Sequence, residues 1–288
     1  MHHCGLGRVL YLPPSVQTAG TKSVLYDFVE NTASDESSWN KIQHLKEDFF
    51  SIEDQVAWER WLLSHHLSFL LWLLAIDELT LCELEAVDVP TRITRIERVG
   101  TYLNGYGAAL TYARMITQEQ YAQQIRPFMN QYYPGFSATW AEDYQILKRK
   151  IGIILRDDTL GRSVRASFRE TVQEHIRTAQ DLVPSGPSLL KEILAANSDS
   201  LPALGASHFA YDSLFLVRRC RVPKIALATQ LSYRVAATAR DVQSRPLPDH
   251  VDPKAATHLI IVLQRAAASA WAARTTSTST SAATSVDT

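Results

Sequence analysis

The first residues that invite chemistry are two adjacent histidines, His65 and His66, set in a stretch where nearly every position from Trp61 to Ile76 is apolar. A buried imidazole without a partner costs on the order of 1 to 3 kcal/mol, so a pair of them in such surroundings asks for a structural partner or for work. A third, His208, opens another apolar helix pattern, His208-Phe209-Ala210-Tyr211-Asp212-Ser213. Asp212 follows it by four residues, the helical spacing that brings a carboxylate beside an imidazole and makes a metal-bound histidine more electron-donating. Arg126 lies among Tyr121, Phe128 and other apolar neighbours, and a guanidinium there can clamp a carboxylate with two parallel hydrogen bonds, as needed to hold an amino acid. His175 and His258 are further imidazoles in helical patterns and stand as alternative ligands. Histidines in apolar helices are what a buried metal-porphyrin site requires. The sober alternative for each is a satisfied core histidine or a surface ion pair.

Familiar catalytic patterns are missing. There is no Glu-x-x-His for a di-iron bundle, no His-Glu-x-x-His for a zinc hydrolase, no Gly-x-Ser-x-Gly, no phosphate loop and no Gly-x-Gly-x-x-Gly opening a helix. The three cysteines, Cys4, Cys82 and Cys220, make neither a zinc spacing nor an even disulfide framework, which suggests a reducing compartment, with cytoplasm as the default. His2, His3 and Cys4 read as a terminus and not as a metal site.

The elements that must position these residues are helical. Apolar residues recur every three to four positions, and glycine and proline are sparse. Helices are expected over Ile52 to Leu84, Thr91 to Met115, from a cap at Thr117 to Pro134-Gly135, Trp140 to Leu155, and Val164 to Leu182. More follow over Leu189 to Ala196, His208 to Arg219, Leu227 to Val242 and Ala255 to Trp271. Pro90 separates the first two. Only Val9-Leu10-Tyr11-Leu12 invites a strand. The expectation is an all-α, single-domain helical bundle over residues 31–274, preceded by an N-terminal segment, 1–30, and followed by an unstructured Thr/Ser/Ala tail, 275–288. The 288 residues suffice for one large core.

Charge narrows the partners. Lys plus Arg is 29 against Asp plus Glu at 30, so no global field draws in nucleic acid or an anionic membrane. The basic stretches Arg92-Arg95-Arg98 and Arg218-Arg219-Arg221-Lys224 read as solvated faces, or as partners for a few porphyrin carboxylates. Leu67 to Ile76 is half the length of a membrane span and reads as core. The sequence leaves the oligomeric state open, a homo-oligomer included.

Taken in order, these pieces resemble tryptophan dioxygenase and its relatives, the histidine-ligated heme-dependent aromatic oxygenases. His66 precedes Leu71-Trp72 by the family's spacing, and Glu78-Leu79 follows. Arg92-Ile93-Thr94-Arg95-Ile96 resembles its Arg-Val-Thr-Arg-Ile helix, and Met115-Ile116-Thr117 its Met-Thr-Pro turn. Ile125-Arg126 is similar to the Phe-Arg whose arginine binds the substrate carboxylate, and Gly135-Phe136-Ser137 to a Gly-Phe-Gln-Ser element. The resemblance covers roughly residues 52 to 140. The family's glycine-rich Gly-Thr-Gly-Gly-Ser loop is missing, with Lys224-Ile225-Ala226-Leu227-Ala228-Thr229 in the corresponding stretch. Direct alignment on Val217-Arg218-Arg219 puts Ser213 at the heme-ligand position, whereas counting from a Leu-x-Glu-x-Leu helix puts His208 there. The compact length, the missing loop and the His-Phe-x-Tyr-Asp-Ser segment look most like the heme-dependent tyrosine hydroxylase branch, found in natural-product pathways. The resemblance implies a heme b held by His208 with Asp212 behind it, His66 or His65 as distal base, and Arg126 on the substrate carboxylate. It implies conversion of L-tyrosine to L-DOPA with hydrogen peroxide, or with oxygen plus a reductant. Two other expectations compete: a heme-dependent tryptophan or indole dioxygenase, and a cofactor-free helical interaction protein.

Overall fold

The computed structural model describes residues 9–14, 55–84, 88–133, 135–157, 161–184, 186–196 and 204–282. Most of the N-terminal segment, with His2, His3 and Cys4, lies outside the described residues. Those described are almost wholly helical, in an all-α arrangement.

The centre is α1 (Gln55–Leu84), a single helix that holds no glycine or proline and is apolar nearly all the way round. A helix of that kind must be covered on most faces. Trp58, Leu67, Phe69, Leu70, Leu71, Ile76 and Leu79 are all buried, against α2 (Val89–Ala113), α5 (Glu142–Ile154) and α9 (Lys224–Ser244). By length and composition Gln55–Glu83 could cross a membrane, but 78% of its most apolar window is buried inside the protein, as the sequence reading of a core segment anticipates. Its buried hydroxyls are answered along the helix: Ser64 donates to the Trp61 carbonyl and Ser68 to that of Ser64.

Asp88 caps α2 through the Thr91 amide, with Pro90 in the first turn, where its missing N–H costs nothing. Gly105 lets α2 come close to its neighbours, since a Cβ there would stand 3.0 Å from both the Ala266 Cβ and a Leu71 methyl. Thr117 and Gln120 form a reciprocal capping box at α3 (Gln118–Gln120), as the sequence suggests. The chain then widens into a π-helical turn, Tyr121–Ile125, before α4 (Arg126–Tyr132). Pro127 accounts for the widening: it has no N–H, and its ring would collide with the carbonyl four residues back. The Arg126 amide therefore reaches the Tyr121 carbonyl, five residues earlier. A 3₁₀ turn (Ala138–Trp140) leads into α5, followed by α6 (Gly161–Leu182), α7 (Leu189–Ala196) and α8 (Leu204–Leu214), while α10 (Pro253–Ala282) packs on α2 and α9.

Two expectations are corrected. The helix foreseen over His208 to Arg219 stops at Leu214, and Val217–Arg219 forms β2, paired in parallel with β1 (Leu10–Leu12) in the register Leu10↔Val217. Leu216 has φ 53, a left-handed conformation that ends the helix and turns the chain. The last helix, expected over Ala255 to Trp271, runs from Pro253 to Ala282. Once a helix is nucleated, adding alanine, serine and threonine costs only tenths of a kcal/mol per residue.

Candidate active site

His65 and His66 stand side by side on α1 and face different surroundings. The His66 side chain is 1% exposed and both its nitrogens are engaged: Nε2–H donates to the Phe215 carbonyl at 2.6 Å, and Nδ1 accepts from Arg234 Nε at 3.2 Å. Burial, and then the Arg234 charge, hold its pKa well below the usual histidine value. The left-handed Leu216 aims the Phe215 carbonyl at this ring, while the Leu216 carbonyl accepts from the Leu10 amide.

His65 lies in an aromatic wall. Its ring stacks on Phe215 at 3.9 Å and tilts against Trp61 at 4.6 Å. Nδ1 sits 2.7 Å from the Trp61 carbonyl, so the proton resides there and Nε2 carries the lone pair. Desolvation pulls its pKa down to about 4, partly opposed by that backbone hydrogen bond. His65 is thus a neutral imidazole near pH 7 with one nitrogen uncommitted. Buried polar atoms without a partner lie beside it or on an adjoining helix: Trp61 Nε1, and Nδ1 of His175 on α6. His175 also lies close enough that its charge disfavours a proton on His65.

His208 lies on α8, and Phe215, which stacks on His65, follows in the turn just past the end of that helix. His208 is partly buried, and its Nδ1 faces the Glu142 carboxylate at 3.6 Å, which the first turn of α5 presents. That carboxylate is not the one expected. Asp212 is instead held by Arg219 through two hydrogen bonds, of 2.7 and 2.9 Å, and Arg219 also binds the wholly buried Asp143 at 2.8 Å. Arg219 sits beside the helix end because β2 draws it there, so helical spacing from His208 did not decide the partner of Asp212.

Arg126 is already carrying a load. Its Nη2 donates to Glu192 on α7 at 2.8 Å and to the Pro187 carbonyl at 2.7 Å. The Tyr121 phenol also bonds it. His258 is exposed, away from the buried imidazoles. The basic stretches are not uniform solvated faces. Arg95 and Arg98 hold the buried Glu78, and Arg219 is half-buried on its two carboxylates, while Arg218 and Arg221 face solvent. Glu78 has its pKa raised, because desolvation outweighs the two arginines.

Three groups escaped the sequence reading: Glu142, Arg234, and the buried cluster of Arg60, Asp241 and Tyr112. Arg234 was open to the logic applied to His66, a charged residue within Leu231-Ser232-Tyr233-Arg234-Val235, but it was not singled out. No group of three or more His, Cys, Asp or Glu able to hold a bare metal ion occurs among the described residues. Cys82 and Cys220 are free. A porphyrin iron asks for less, a single imidazole with a nitrogen to spare; the candidates are His65, neutral with Nε2 uncommitted, and His208, whose Nδ1 faces Glu142.

An all-α scaffold with paired neutral imidazoles in an aromatic wall suits oxidative chemistry on an aromatic ring. Over residues 48–157 the chain matches the protein-family model described as SfmD 3-methyl-L-tyrosine peroxygenase. On that match it is an enzyme, an oxidoreductase similar to a family of peroxygenases that act on a tyrosine derivative. The matched span contains His65, His66, Arg126 and Glu142; His208 and Arg234 lie beyond it. No curated protein matches the chain.

The two histidines make a prediction about acid. In the unfolded chain each titrates near 6.5, and in the folded protein well below. Above pH 6.5 both states hold the rings neutral and nothing changes. As pH falls from 6.5 toward 4, only the unfolded chain takes up the protons, so stability is lost at up to about 1.4 kcal/mol per pH unit per histidine. The urea midpoint of wild type should drop over this window, and His65→Gln should flatten the drop. An identical pH profile for the variant would refute the assignment.

Proposed function

We propose that the protein is a heme-dependent peroxygenase that hydroxylates the ring of L-tyrosine beside its phenol, giving L-DOPA. The observation that carries this reading is the peroxygenase match across the helices that bear His65, His66 and Arg126. The balance is one tyrosine plus one hydrogen peroxide to one L-DOPA plus water. A bound heme supplies the activation of peroxide.

The chain's own residues then divide the work. His208 would hold the heme iron, and Glu142 at its Nδ1 would strengthen the imidazole as a donor. His65 is the better placed proton carrier, because its Nε2 is uncommitted, whereas both His66 nitrogens are spoken for. His66 positions the wall by tying α1 to the Phe215 carbonyl. Arg126 binds the amino-acid carboxylate once Glu192 yields to it, and that anchor sets which ring carbon is presented.

The test is the absorption spectrum of the purified protein while L-tyrosine, 3-methyl-L-tyrosine and L-tryptophan are added in turn, followed by peroxide and mass analysis of the product. Gain of one oxygen on L-tyrosine supports the proposal. Turnover of 3-methyl-L-tyrosine alone would move the substrate to the one in the matched family's name. Gain of two oxygens on tryptophan would make the protein a ring-opening dioxygenase, and absence of heme binding would end the heme reading. Arg126→Leu should raise the KM for tyrosine by about tenfold or more, the worth of a charge-assisted hydrogen bond, while the heme spectrum survives. Loss of the spectrum would instead make Arg126 a structural residue.

A further inference from the structure

Arg234 is a buried cation with no anionic partner among the described residues. Its side chain is 1% exposed, and its three hydrogen bonds go to neutral acceptors: His66 Nδ1 at 3.2 Å, the Gln230 carbonyl at 3.3 Å and the Val9 carbonyl at 3.0 Å. Desolvation lowers its pKa to about 10, so it stays charged at neutral pH. Buried charges are normally paired, and among the described residues no carboxylate pairs with this one.

Arg234 lines the inner end of an open cleft of ≈ 330 Å³ between α1 and α9. Leu62, Leu63, Tyr112, Tyr233 and Ala237 give it apolar walls. Two acids line it, and both are already claimed: Glu59 by Arg245 at 2.7 Å, Asp241 by Arg60 at 2.8 Å and by Arg245 at 3.3 Å. Arg240, exposed at the rim, has no carboxylate partner among the described residues. The cleft therefore combines an apolar interior with two uncompensated cations, and its size falls at the lower end of small-molecule sites. Neutral His66 closes the inner end and contributes no negative charge.

We propose that this cleft binds a carboxylate carried on an apolar ring body, with Arg234 as the buried anchor and Arg240 as the rim contact. Two molecules share that chemistry, a free aromatic acid and a porphyrin through its propionate. The site is separate from Arg126 and does not depend on the role given to that residue.

The probe is 3-(4-hydroxyphenyl)propionate, titrated calorimetrically into the purified protein, with 4-ethylphenol as the analogue lacking the carboxylate. The acid should bind more tightly than the phenol. Arg234→Gln should weaken the acid by about tenfold or more, the effect of losing a hydrogen bond to a charged group, and leave the phenol unchanged. Because Arg234 is buried, Arg240→Gln and Ala237→Trp serve as variants that need not disturb the core; the first should weaken the acid alone, the second both ligands. Arg126→Leu removes any binding of the acid at Arg126, and the binding that depends on Arg240 and Ala237 should persist in that variant. If heme loading displaces the acid, the carboxylate belongs to the macrocycle; if both bind together, the ligand is a free acid. Equal affinity for acid and phenol, or an unchanged affinity in both Arg240→Gln and Ala237→Trp, overturns the proposal.

Discussion

His208→Gly should leave the protein folded but unable to retain heme, with turnover falling to background and returning when imidazole is added. The imidazole lies on α8 with one nitrogen backed by Glu142 at 3.6 Å, and glycine removes that imidazole. Free imidazole can occupy the space and would restore the nitrogen donor, a rescue that a merely structural histidine would not show. Glu142→Gln separates the two parts of the device. It should keep the pigment but weaken heme affinity by about 10- to 100-fold, the usual worth of an outer partner to a metal-bound histidine. Heme content by pyridine hemochrome and the visible spectrum read both effects. Should His208→Gly hold heme as wild type does, the ligand is another imidazole, and His65, with its own free Nε2, becomes the one to replace.

Asp241→Ala should be the most destabilising single substitution outside the aromatic core, at about 3 to 5 kcal/mol. Asp241 takes hydrogen bonds from Arg60 Nε at 2.8 Å and from the Tyr112 phenol at 3.0 Å. Arg60 spends its other nitrogens on the carbonyls of Met115, at 2.7 Å, and Pro246, at 3.0 Å. One guanidinium thus joins α1 to the end of α2 and to the turn after α9. Removing the carboxylate strands a guanidinium on a residue that is 4% exposed, leaving a buried charge without its counter-ion. For a protein of this size the loss should appear as a melting temperature lower by roughly 6 to 20 °C. The double variant Arg60→Met with Asp241→Leu should recover much of it, since an apolar pair of similar volume often does no worse than a buried ion pair. If Asp241→Ala melts within a degree or two of wild type, the cluster is not the tie described.

How much of this could be read from the chain depended on whether the determining forces were local. The capping box at Thr117, the strand at Leu10 and the burial of the Trp61 to Ile76 stretch follow from neighbours a few residues away, and they were legible. Arg126 and the two α1 histidines could be singled out because polar groups in apolar surroundings stand out. Their partners could not. Asp212 was expected at His208 by helical spacing, yet a strand pairing with residues two hundred positions earlier brings Arg219 to it instead. The same pairing ended the helix foreseen through Arg219. Glu142 meets His208 only because α5 and α8 converge, and no periodicity within either helix encodes that.

The short parallel pair has a consequence for how the chain can be cut. Three residues, Leu10–Leu12, supply the backbone partner of β2; Tyr11 alone exchanges both its amide and its carbonyl with the Gln230 side chain, and Val9 gives its carbonyl to Arg234. A protease that clipped the chain just after Leu12 would therefore not trim a dangling end. It would withdraw a clasp from three elements at once, the strand after α8, the middle of α9 and, through Arg234, the ring of His66. The nicked protein would keep its helices and lose the fixed spacing between α1 and α8, so the tolerance of this end to tags or truncation becomes a gauge of how tightly the interior is held.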